Sequence, residues 1–387
     1  MSKLIYIVDN EPQGLEGLGL LLRKLDPSWR VTEFSTPAQA LTAVRTTPPN
    51  LILTDQNMPG MTGNQMLESI RQMAPNTIRI IVSAHAQWVE KLGAAHQYLR
   101  KPLDLRDTED RVRHALDAQA YLQDPDLARL IMPLTSFPAL PGVYLELLRE
   151  LDKVDSSLER TAELIRKDGG VFTRMIQLAN SPLFSGTSSI TEPTAALLQL
   201  GTNNVKALVL SLKLFQRYHP LHFPELPVQA IWKHSWKTAH LAQEFCRKKL
   251  GERAASDVFF AGLVRDLGCL ILMENETERY RDVCKMALRE EKSLLEAEQE
   301  AFHATHLELS SFMLRLWGMP ESVVEAVTFC SAPWNGPRAD HFGPTVALYI
   351  ADILSRQQDP PDGFTTLPLN SAYVESVGAQ ELLETGG

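Results

Sequence analysis

Over roughly its first 118 residues, the sequence alternates short apolar runs with amphipathic stretches of helical length. The first run, Leu4–Val8, is apolar throughout, which is typical of a strand that is covered on both faces. Strands that alternate with helices predict βαβ units, so we expect an α/β doubly wound parallel sheet. The predicted strands are Leu4–Val8, Val31–Phe34, Leu51–Thr54, Ile78–Val82 and Gln97–Leu99, and the predicted helices are Pro12–Leu25, Pro37–Thr46, Gly63–Met73, Ala86–Leu92 and Asp104–Ala120.

Two of these helices begin at recognisable capping sequences. Thr36 precedes Pro37, which suits the first helical position, and Gln39 stands at the third. Thr62 and Gln65 have the spacing of a capping box. These signals predict where the second and third helices start.

Beyond about residue 120 the strand patterns end, and apolar residues recur with the period of a helix. We therefore predict an all-helical domain, with long helices at Ala255–Met273 and Ser293–Trp317 among others. The predicted organisation is an α/β domain at 1–120, a linker helix at 121–132, the helical domain at 133–356 and a C-terminal tail at 357–387.

Composition excludes several classes of protein. The chain has 387 residues, a hydrophobic fraction of 44% and a net charge of −9, and it has no extended basic cluster, so nucleic-acid binding is not expected. The four cysteines include no CxxC pair and indicate reduced thiols. No apolar run approaches the roughly 18 residues that span a membrane. We expect a cytoplasmic protein with no membrane insertion.

Polar residues with complementary chemistry follow the predicted strands. Asp9, Asp55, Ser83 and Lys101 stand at the ends of the first, third, fourth and fifth strands, where doubly wound sheets bind ligands. Asp55 is the candidate nucleophile for forming an acyl phosphate. Carboxylates of Asp9 and Asp55 with the backbone oxygen of Asn57 suit Mg²⁺. Each residue alone is more often a cap or turn residue, and their joint occurrence favours a phosphoryl-transfer site.

These motifs resemble the receiver domain of bacterial two-component response regulators. The resemblance implies that Asp55 is phosphorylated by a partner histidine kinase, with Ser83 moving toward the phosphate and Tyr98 reorienting as a switch. The matching segments are Ile7-Val8-Asp9-Asn10-Glu11-Pro12, Thr54-Asp55-Gln56-Asn57-Met58-Pro59-Gly60-Met61-Thr62-Gly63, Ser83-Ala84 and Tyr98-Leu99-Arg100-Lys101-Pro102.

One position departs from the receiver pattern. Receivers usually have two adjacent acids where this chain has Asp9 and Asn10. Asn10 offers a carbonyl oxygen without charge, so we expect weaker Mg²⁺ binding unless Glu11 compensates. Phosphorylation of Asp55 is the favoured interpretation, and signalling without phosphorylation stays open.

The helical part contains most of a metal-binding set for phosphate-ester hydrolysis. Arg265 breaks the set, because a guanidinium remains protonated and has no acceptor atom. We therefore expect no metal there, and we interpret His303 and His306, three apart on one predicted helix, as core or surface residues. The degenerate set is His234, Arg265, Asp266, His306 and Asp352.

The helical part also contains a series of short motifs: Phe137-Pro138-Ala139-Leu140-Pro141, Ile165-Arg166-Lys167-Asp168, Ile176-Gln177-Leu178-Ala179-Asn180-Ser181, Ile190 through Ala195 to Leu200-Gly201, Ala261-Gly262-Leu263-Val264-Arg265-Asp266-Leu267-Gly268, and Thr305-His306-Leu307-Glu308 with Trp317-Gly318-Met319-Pro320. Together these motifs resemble the HDOD domain, an all-helical relative of the HD phosphohydrolases that generally lacks their complete metal set. The resemblance implies a regulatory or protein-binding output.

Together the two resemblances predict a response regulator with a receiver that controls a non-catalytic HDOD output. The expected partners are a sensor histidine kinase, a downstream regulatory protein and a second copy of the chain. The main alternative is a metal-dependent phosphohydrolase in the helical domain that the receiver regulates. Direct DNA binding is disfavoured, since the sequence has neither a recognisable helix-turn-helix nor a basic patch.

Overall fold

In the computed structural model, parallel strands form a five-stranded sheet, and the strands match those that the sequence predicts to within a residue at each end. Their order in the sheet is 2-1-3-4-5 by chain position, which is the order of flavodoxin-like doubly wound folds. All five carboxyl ends therefore lie along one edge. The strands are β1 Leu4–Val8, β2 Arg30–Phe34, β3 Leu51–Asp55, β4 Ile78–Ser83 and β5 Gln97–Arg100.

The structure describes residues 3–84, 93–151, 153, 155–180, 190–219, 221–358 and 364–384. The predicted helix Ala86–Leu92 lies outside these residues. The chain divides into two compact units: a first unit of Met1–Ala139, Ile271–Thr277 and Glu298–Met319, and a second of Leu140–Leu270, Glu278–Ala297 and Pro320–Gly387. Three segments of the predicted helical domain thus belong to the unit that contains the sheet: 133–139, Ile271–Thr277 and Glu298–Met319.

The helices around the sheet begin where the sequence places their caps. Thr36 Oγ1 accepts a hydrogen bond from the backbone N–H of Gln39, and Thr62 and Gln65 form a reciprocal capping box. Such caps stabilise a helix by about 1 kcal/mol each. These helices are α1 Pro12–Leu25, α2 Pro37–Thr46, α3 Gly63–Met73, α4 Leu105–Tyr121 and α5 Pro125–Ile131.

The central strands are buried on both faces, which explains their apolar sequences. Val8, Ile52 and Ile81 pack against Met66 and Leu67 of α3 in a single core cluster. Burial of one such aliphatic side chain contributes roughly 1.5–3 kcal/mol. This core holds the strand ends, and the residues that follow them, in fixed positions.

The rest of the described chain is helical, and none of its helices has the length and hydropathy needed to cross a lipid bilayer. The helices are α6 Gly142–Leu151, α7 Leu158–Lys167, α8 Gly169–Ala179, α9 Pro193–Leu200, α10 Thr202–Tyr218, α11 Val228–Leu250, α12 Glu252–Val264, α13 Leu267–Asn275, α14 Thr277–Arg289, α15 Leu294–Phe302, α16 His306–Leu316, α17 Glu321–Phe329, α18 Pro344–Gln358, α19 Ser371–Ser376 and α20 Glu381–Glu384, with a short 3₁₀ helix at Pro333–Asn335.

Two long helices that the sequence predicts are each broken in two. The first breaks at Arg265 and Asp266, whose buried side chains form ion pairs at the joint between α12 and α13. The second breaks at His303, whose backbone φ of 60° ends α15, and a capping box at Thr305 starts α16. The prediction that His303 and His306 share one helix is therefore wrong.

The described part of the tail is ordered against the second unit. Val374 of α19 is buried, and the backbone N–H of Asn370 donates to the Tyr349 hydroxyl of α18 at 2.8 Å. Lys249 Nζ of α11 donates to the backbone oxygen of Gly378, also at 2.8 Å. A buried valine and two long-range hydrogen bonds give this segment more structure than its sequence predicts.

Candidate functional site

Three of the predicted site residues meet at the carboxyl edge of the sheet. Lys101 follows β5, and its Nζ lies 2.9 Å from Asp9 Oδ2 beyond β1 and 2.7 Å from Asp55 Oδ1 at the end of β3. The Lys101 side chain is 27% exposed, against 8% for Asp9 and 13% for Asp55. A half-buried ammonium thus bridges two nearly buried carboxylates.

The charge of Lys101 is held by this geometry. Burial by itself lowers the pKa of the ammonium, because a low dielectric disfavours the charged form. The hydrogen bonds and charges of Asp55 and Asp9 outweigh burial and raise the pKa of Lys101 above its ordinary value. The group is therefore a permanent cation beside the candidate nucleophile.

Backbone hydrogen bonds fix the orientation of both carboxylates. Asp55 Oδ2 accepts from the backbone N–H of Asn57 at 2.6 Å, and Asp9 Oδ1 accepts from the backbone N–H of Glu11 at 2.9 Å. Asn10 and Glu11 are themselves exposed. The two inward oxygens, Asp9 Oδ2 and Asp55 Oδ1, are left facing a common cation.

A glycine in α1 makes room for the Asp9 carboxylate. A Cβ at Gly14 would lie 2.5 Å from Asp9 Oδ2, closer than real Cβ contacts come. The residues lining this edge, including Gly14, Asp9 and Asp55, enclose a cavity of about 380 Å³. The two carboxylate oxygens that converge here are donors of the kind that a hard divalent ion such as Mg²⁺ prefers. Gly14 was not among the residues predicted from the sequence. A glycine inside a helix destabilises that helix relative to alanine, and this was the sequence signal that could have identified it.

Ser83 and Tyr98, the predicted switch pair, are joined through the backbone. The buried Tyr98 hydroxyl donates to the backbone oxygen of Ser83 at 2.7 Å, and the backbone N–H of Lys101 donates to the same oxygen at 2.9 Å. Burial raises the pKa of Tyr98, so its hydroxyl remains a donor. Because Asp55 pairs with Val82 across β3 and β4, Ser83 lies one residue beyond the candidate nucleophile.

A second cluster of predicted residues lies in the second unit. His234 Nε2 on α11 lies 2.6 Å from Asp352 Oδ1 on α18, and Arg265 Nη1 lies 2.7 Å from the same oxygen. Arg265 Nε reaches Asp266 Oδ1 at 3.2 Å. Four residues of the degenerate set thus meet around the carboxylates of Asp352 and Asp266.

The fifth residue, His306, lies in the first unit. Its Nδ1 is 2.7 Å from Glu298 Oε2, and its backbone N–H donates to the same oxygen at 3.0 Å. The buried carboxylate of Glu298, which lies in α15, is a partner of His306 that was not predicted from the sequence.

Burial and charge oppose each other in the second cluster, and charge prevails. Burial lowers the pKa of Arg265, but Asp352 and Asp266 hold it well above its ordinary value. Burial likewise raises the pKa of Asp352, but Arg265, Arg356 and His234 hold it well below the usual range. Both groups are therefore ionised inside the protein.

Comparisons with known proteins agree with this division of the chain. The response regulator receiver domain model matches residues 5–113, and the HDOD domain model matches residues 137–333. The hydrogenase transcriptional regulatory protein HoxA of Cupriavidus necator is 33% identical over 142 residues, which are 35% of this chain and 28% of that protein. The DNA-binding transcriptional regulator NtrC of Escherichia coli K12 is 28% identical over 156 residues, which are 36% of this chain and 31% of that protein. The chain spans less than a third of the length of these two relatives.

Solved structures support the helical fold. An HDOD domain protein of unknown function from Geobacter sulfurreducens has a TM-score of 0.53 at 18% identity and covers 72% of this chain and 89% of its own. A candidate phosphohydrolase from Shewanella amazonensis SB2B has a TM-score of 0.51 at 18% identity and covers 69% of this chain and 93% of its own. At this identity the likeness concerns the fold alone. Because the HDOD model covers about half of the chain and the receiver model covers the sheet before it, this protein belongs to the HDOD family and carries a response regulator receiver domain ahead of its HDOD domain.

Proposed function

We propose that the protein is a two-component response regulator in which Asp55 accepts a phosphoryl group from a histidine kinase in the presence of Mg²⁺ and thereby controls a non-catalytic HDOD output. The observation that carries the proposal is the convergence of Asp9, Asp55 and Lys101 at one edge of the sheet, with Nζ–O distances of 2.9 and 2.7 Å. This arrangement combines a nucleophile, a second oxygen ligand and a fixed cation.

The chemistry follows from these three groups. A carboxylate oxygen of Asp55 attacks the phosphorus of a phosphohistidine, the P–N bond breaks, and the donor imidazole leaves with its electron pair and takes up a proton. Lys101 stabilises the charge on the phosphoryl oxygens as they approach the two carboxylates. A Mg²⁺ ion held by Asp9, Asp55 and the Asn57 backbone oxygen would supply further charge neutralisation.

A route from Asp55 toward the output begins at β4 and β5. Phosphorylation adds a charge of roughly −1.5 to −2 next to Ser83. If Ser83 moves toward that charge, the hydrogen bond from Tyr98 to its backbone oxygen must change, since the two residues are joined there. Tyr98 lies in β5 beside Gln97, whose side-chain amide donates to the backbone oxygen of Leu316.

Control of the HDOD domain by the receiver is supported by α16. This helix lies inside the range that the HDOD model matches, yet it belongs to the same compact unit as the sheet. The Arg315 guanidinium stacks 4.1 Å from the centre of the Tyr121 ring of α4, and Phe312 packs at 6.0 Å on the buried His96. The receiver thus holds one helix of its own output domain.

The proposal that the output is non-catalytic rests on Arg265. One solved structure with this helical fold is a candidate phosphohydrolase. Metal-dependent hydrolysis of a phosphate ester would need side chains that hold the metal ion. In this chain the guanidinium of Arg265 forms ion pairs with the carboxylates of Asp352 and Asp266, which a metal ion would otherwise bind. The expected output is therefore the binding of a regulatory protein.

Phosphorylation is tested by intact-protein mass spectrometry after incubation with acetyl phosphate and Mg²⁺. We expect the wild type to gain the mass of one phosphoryl group, Asp55→Ala to gain none, and Lys101→Met to react more slowly by on the order of 100-fold. Arg100→Ala, which removes the adjacent exposed cation, is the matched control and should react at the wild-type rate. A wild type that gains no mass, or an adduct that persists in Asp55→Ala, would refute the assignment of Asp55.

A further inference from the structure

The second unit contains a buried, positively charged arginine, Arg265, at a position where a metal-dependent phosphohydrolase would need a metal ligand. Arg265 is 1% exposed and stands at the break between α12 and α13. Its Nη1 lies 2.7 Å from Asp352 Oδ1, and its Nε lies 3.2 Å from Asp266 Oδ1. A buried charge persists in a protein only when opposite charges compensate it, and these two carboxylates do so.

Neighbouring groups make further contacts with the same two carboxylates. Ser235 Oγ donates to Asp266 Oδ2 at 2.8 Å, so both oxygens of that carboxylate are engaged. His234 Nε2 lies 2.6 Å from Asp352 Oδ1, and Arg356 Nε lies 3.4 Å from the same oxygen. A metal-binding imidazole must offer its nitrogen lone pair to the ion, whereas here that nitrogen faces a carboxylate as a donor.

The charges in the cluster already balance without an ion. Asp266 and Asp352 contribute two negative charges, and Arg265 and Arg356 contribute two positive ones. A divalent cation beside these carboxylates would have to displace a guanidinium that cannot lose its proton. Repulsion from that guanidinium opposes the binding of any metal at these atoms.

We propose that Arg265 is the resident cation of this cluster, that it takes the place of a metal ion on Asp266 and Asp352, and that Arg265→His would create a metal site there. This inference rests on the non-catalytic output proposed above and deepens it, since it names the single residue that excludes the metal. It does not depend on any chemistry of Asp55.

The Arg265→His change alters both the charge of the cluster and the number of side chains that can bind a metal ion. It removes the permanent positive charge and adds an imidazole beside His234, Asp266 and Asp352. Two carboxylates and two imidazoles are a ligand set that Zn²⁺ accepts. Without the guanidinium the buried Asp266 and the partly buried Asp352 have only Arg356 as a charged partner, so one negative charge is uncompensated and binding a divalent ion becomes favourable and stabilises the fold.

The test measures Zn²⁺ bound per chain in the full-length protein, by elemental mass spectrometry after gel filtration. Every sample carries Asp55→Ala to weaken ion binding at the receiver, and failure of the phosphorylation proposal therefore cannot affect the result. The samples are the Asp55→Ala parent, the same chain with Arg265→His, and the Arg265→His chain with Asp352→Asn. Arg281→His is the matched control, because Arg281 also contacts two carboxylates, those of Glu225 at 3.5 Å and Glu278 at 2.7 Å, but lies nearer the surface.

We expect Arg265→His to retain one equivalent of Zn²⁺ with affinity at least roughly tenfold above that of the parent, and Asp352→Asn to abolish the gain. Zn²⁺ should also raise the thermal unfolding midpoint of Arg265→His and leave that of Arg281→His unchanged. A variant with no more bound zinc than Arg281→His would overturn the proposal. So would a parent chain that retains one equivalent of zinc and loses it on His234→Ala, a result that does not depend on whether Arg265→His folds.

Discussion

At the scale of single residues, His96 is the group whose position the sequence did not anticipate. Its ring is fully buried and packs edge-on against Phe137 at 5.0 Å and Phe312 at 6.0 Å. His96 Nδ1 lies 3.2 Å from the backbone nitrogen of Arg79, which donates to it. Burial, reinforced by the Arg79 charge, lowers the pKa of His96 well below its ordinary value, so the imidazole is neutral.

The neutral state of buried His96 predicts how the unfolding free energy depends on pH. In the unfolded chain a histidine takes up a proton below about pH 6.5, but folded His96 does not, so its contribution to stability is present above that pH and is lost as pH falls. The loss should be about 1.4 kcal/mol per pH unit below 6.5. We expect His96→Gln to reduce the difference between urea-unfolding free energies at pH 7.5 and 5.5. An undiminished pH dependence in His96→Gln would disprove the assignment.

At the scale of elements, helix α1 contains a built-in comparison for the Asp9 site. Gly14 and Gly17 are three residues apart on this helix, but a Cβ at Gly14 meets the Asp9 carboxylate, whereas at Gly17 it meets nothing within 4 Å. We expect Gly14→Ala to weaken Mg²⁺ binding by on the order of tenfold, because the carboxylate must shift. Gly17→Ala should leave binding intact and stabilise the protein by roughly 0.5–1 kcal/mol. Titration calorimetry with Mg²⁺ checks both, and equal affinities would remove Gly14 from the site.

The ion pair of Arg265 with Asp352, at the joint between α12 and α13, is expected to contribute to the unfolding free energy. Arg265→Met leaves the partly buried Asp352 carboxylate beside His234 without its main counter-charge, which should cost about 3 kcal/mol of unfolding free energy. Adding Asp352→Asn should recover part of that cost, since the unpaired charge is then removed. Denaturant unfolding of the two single variants and the double variant forms the cycle. Additive losses would mean that the two residues are not coupled.

The predictability of these elements depends on how local their signals are. Patterns within a few residues predict the strands and the helix caps at Thr36 and Thr62. The rule that parallel strands end at one edge of a sheet then predicts that Asp9, Asp55 and Lys101 converge. The breaks in the two long predicted helices depend on tertiary contacts, such as the hydrogen bond from Ser235 to Asp266 across 31 positions of sequence. The capping box at Thr305 was a local signal for one break that sequence analysis overlooked.

At the scale of the whole molecule, the compact units and the family ranges do not coincide. Residues Glu298–Met319 belong to the HDOD range by sequence but to the unit of the sheet by contact. Gly318, at a φ of +71°, leaves no room for a Cβ against the His114 ring of α4, so backbone and ring approach closely there. This contact is non-local and carries no sequence pattern. If the proposed function holds, we expect a change in the receiver to alter α16, which belongs to the HDOD range.

The most direct test of this account is hydrogen–deuterium exchange of α16 with and without phosphorylation of Asp55. The wild type and Asp55→Ala are each incubated with Mg²⁺ and acetyl phosphate, and intact mass confirms the extent of phosphorylation. We predict that exchange across residues 306–316 changes by roughly fivefold or more in the phosphorylated wild type and not at all in Asp55→Ala. A wild-type protein that is fully phosphorylated yet shows unchanged exchange in α16 would contradict the account.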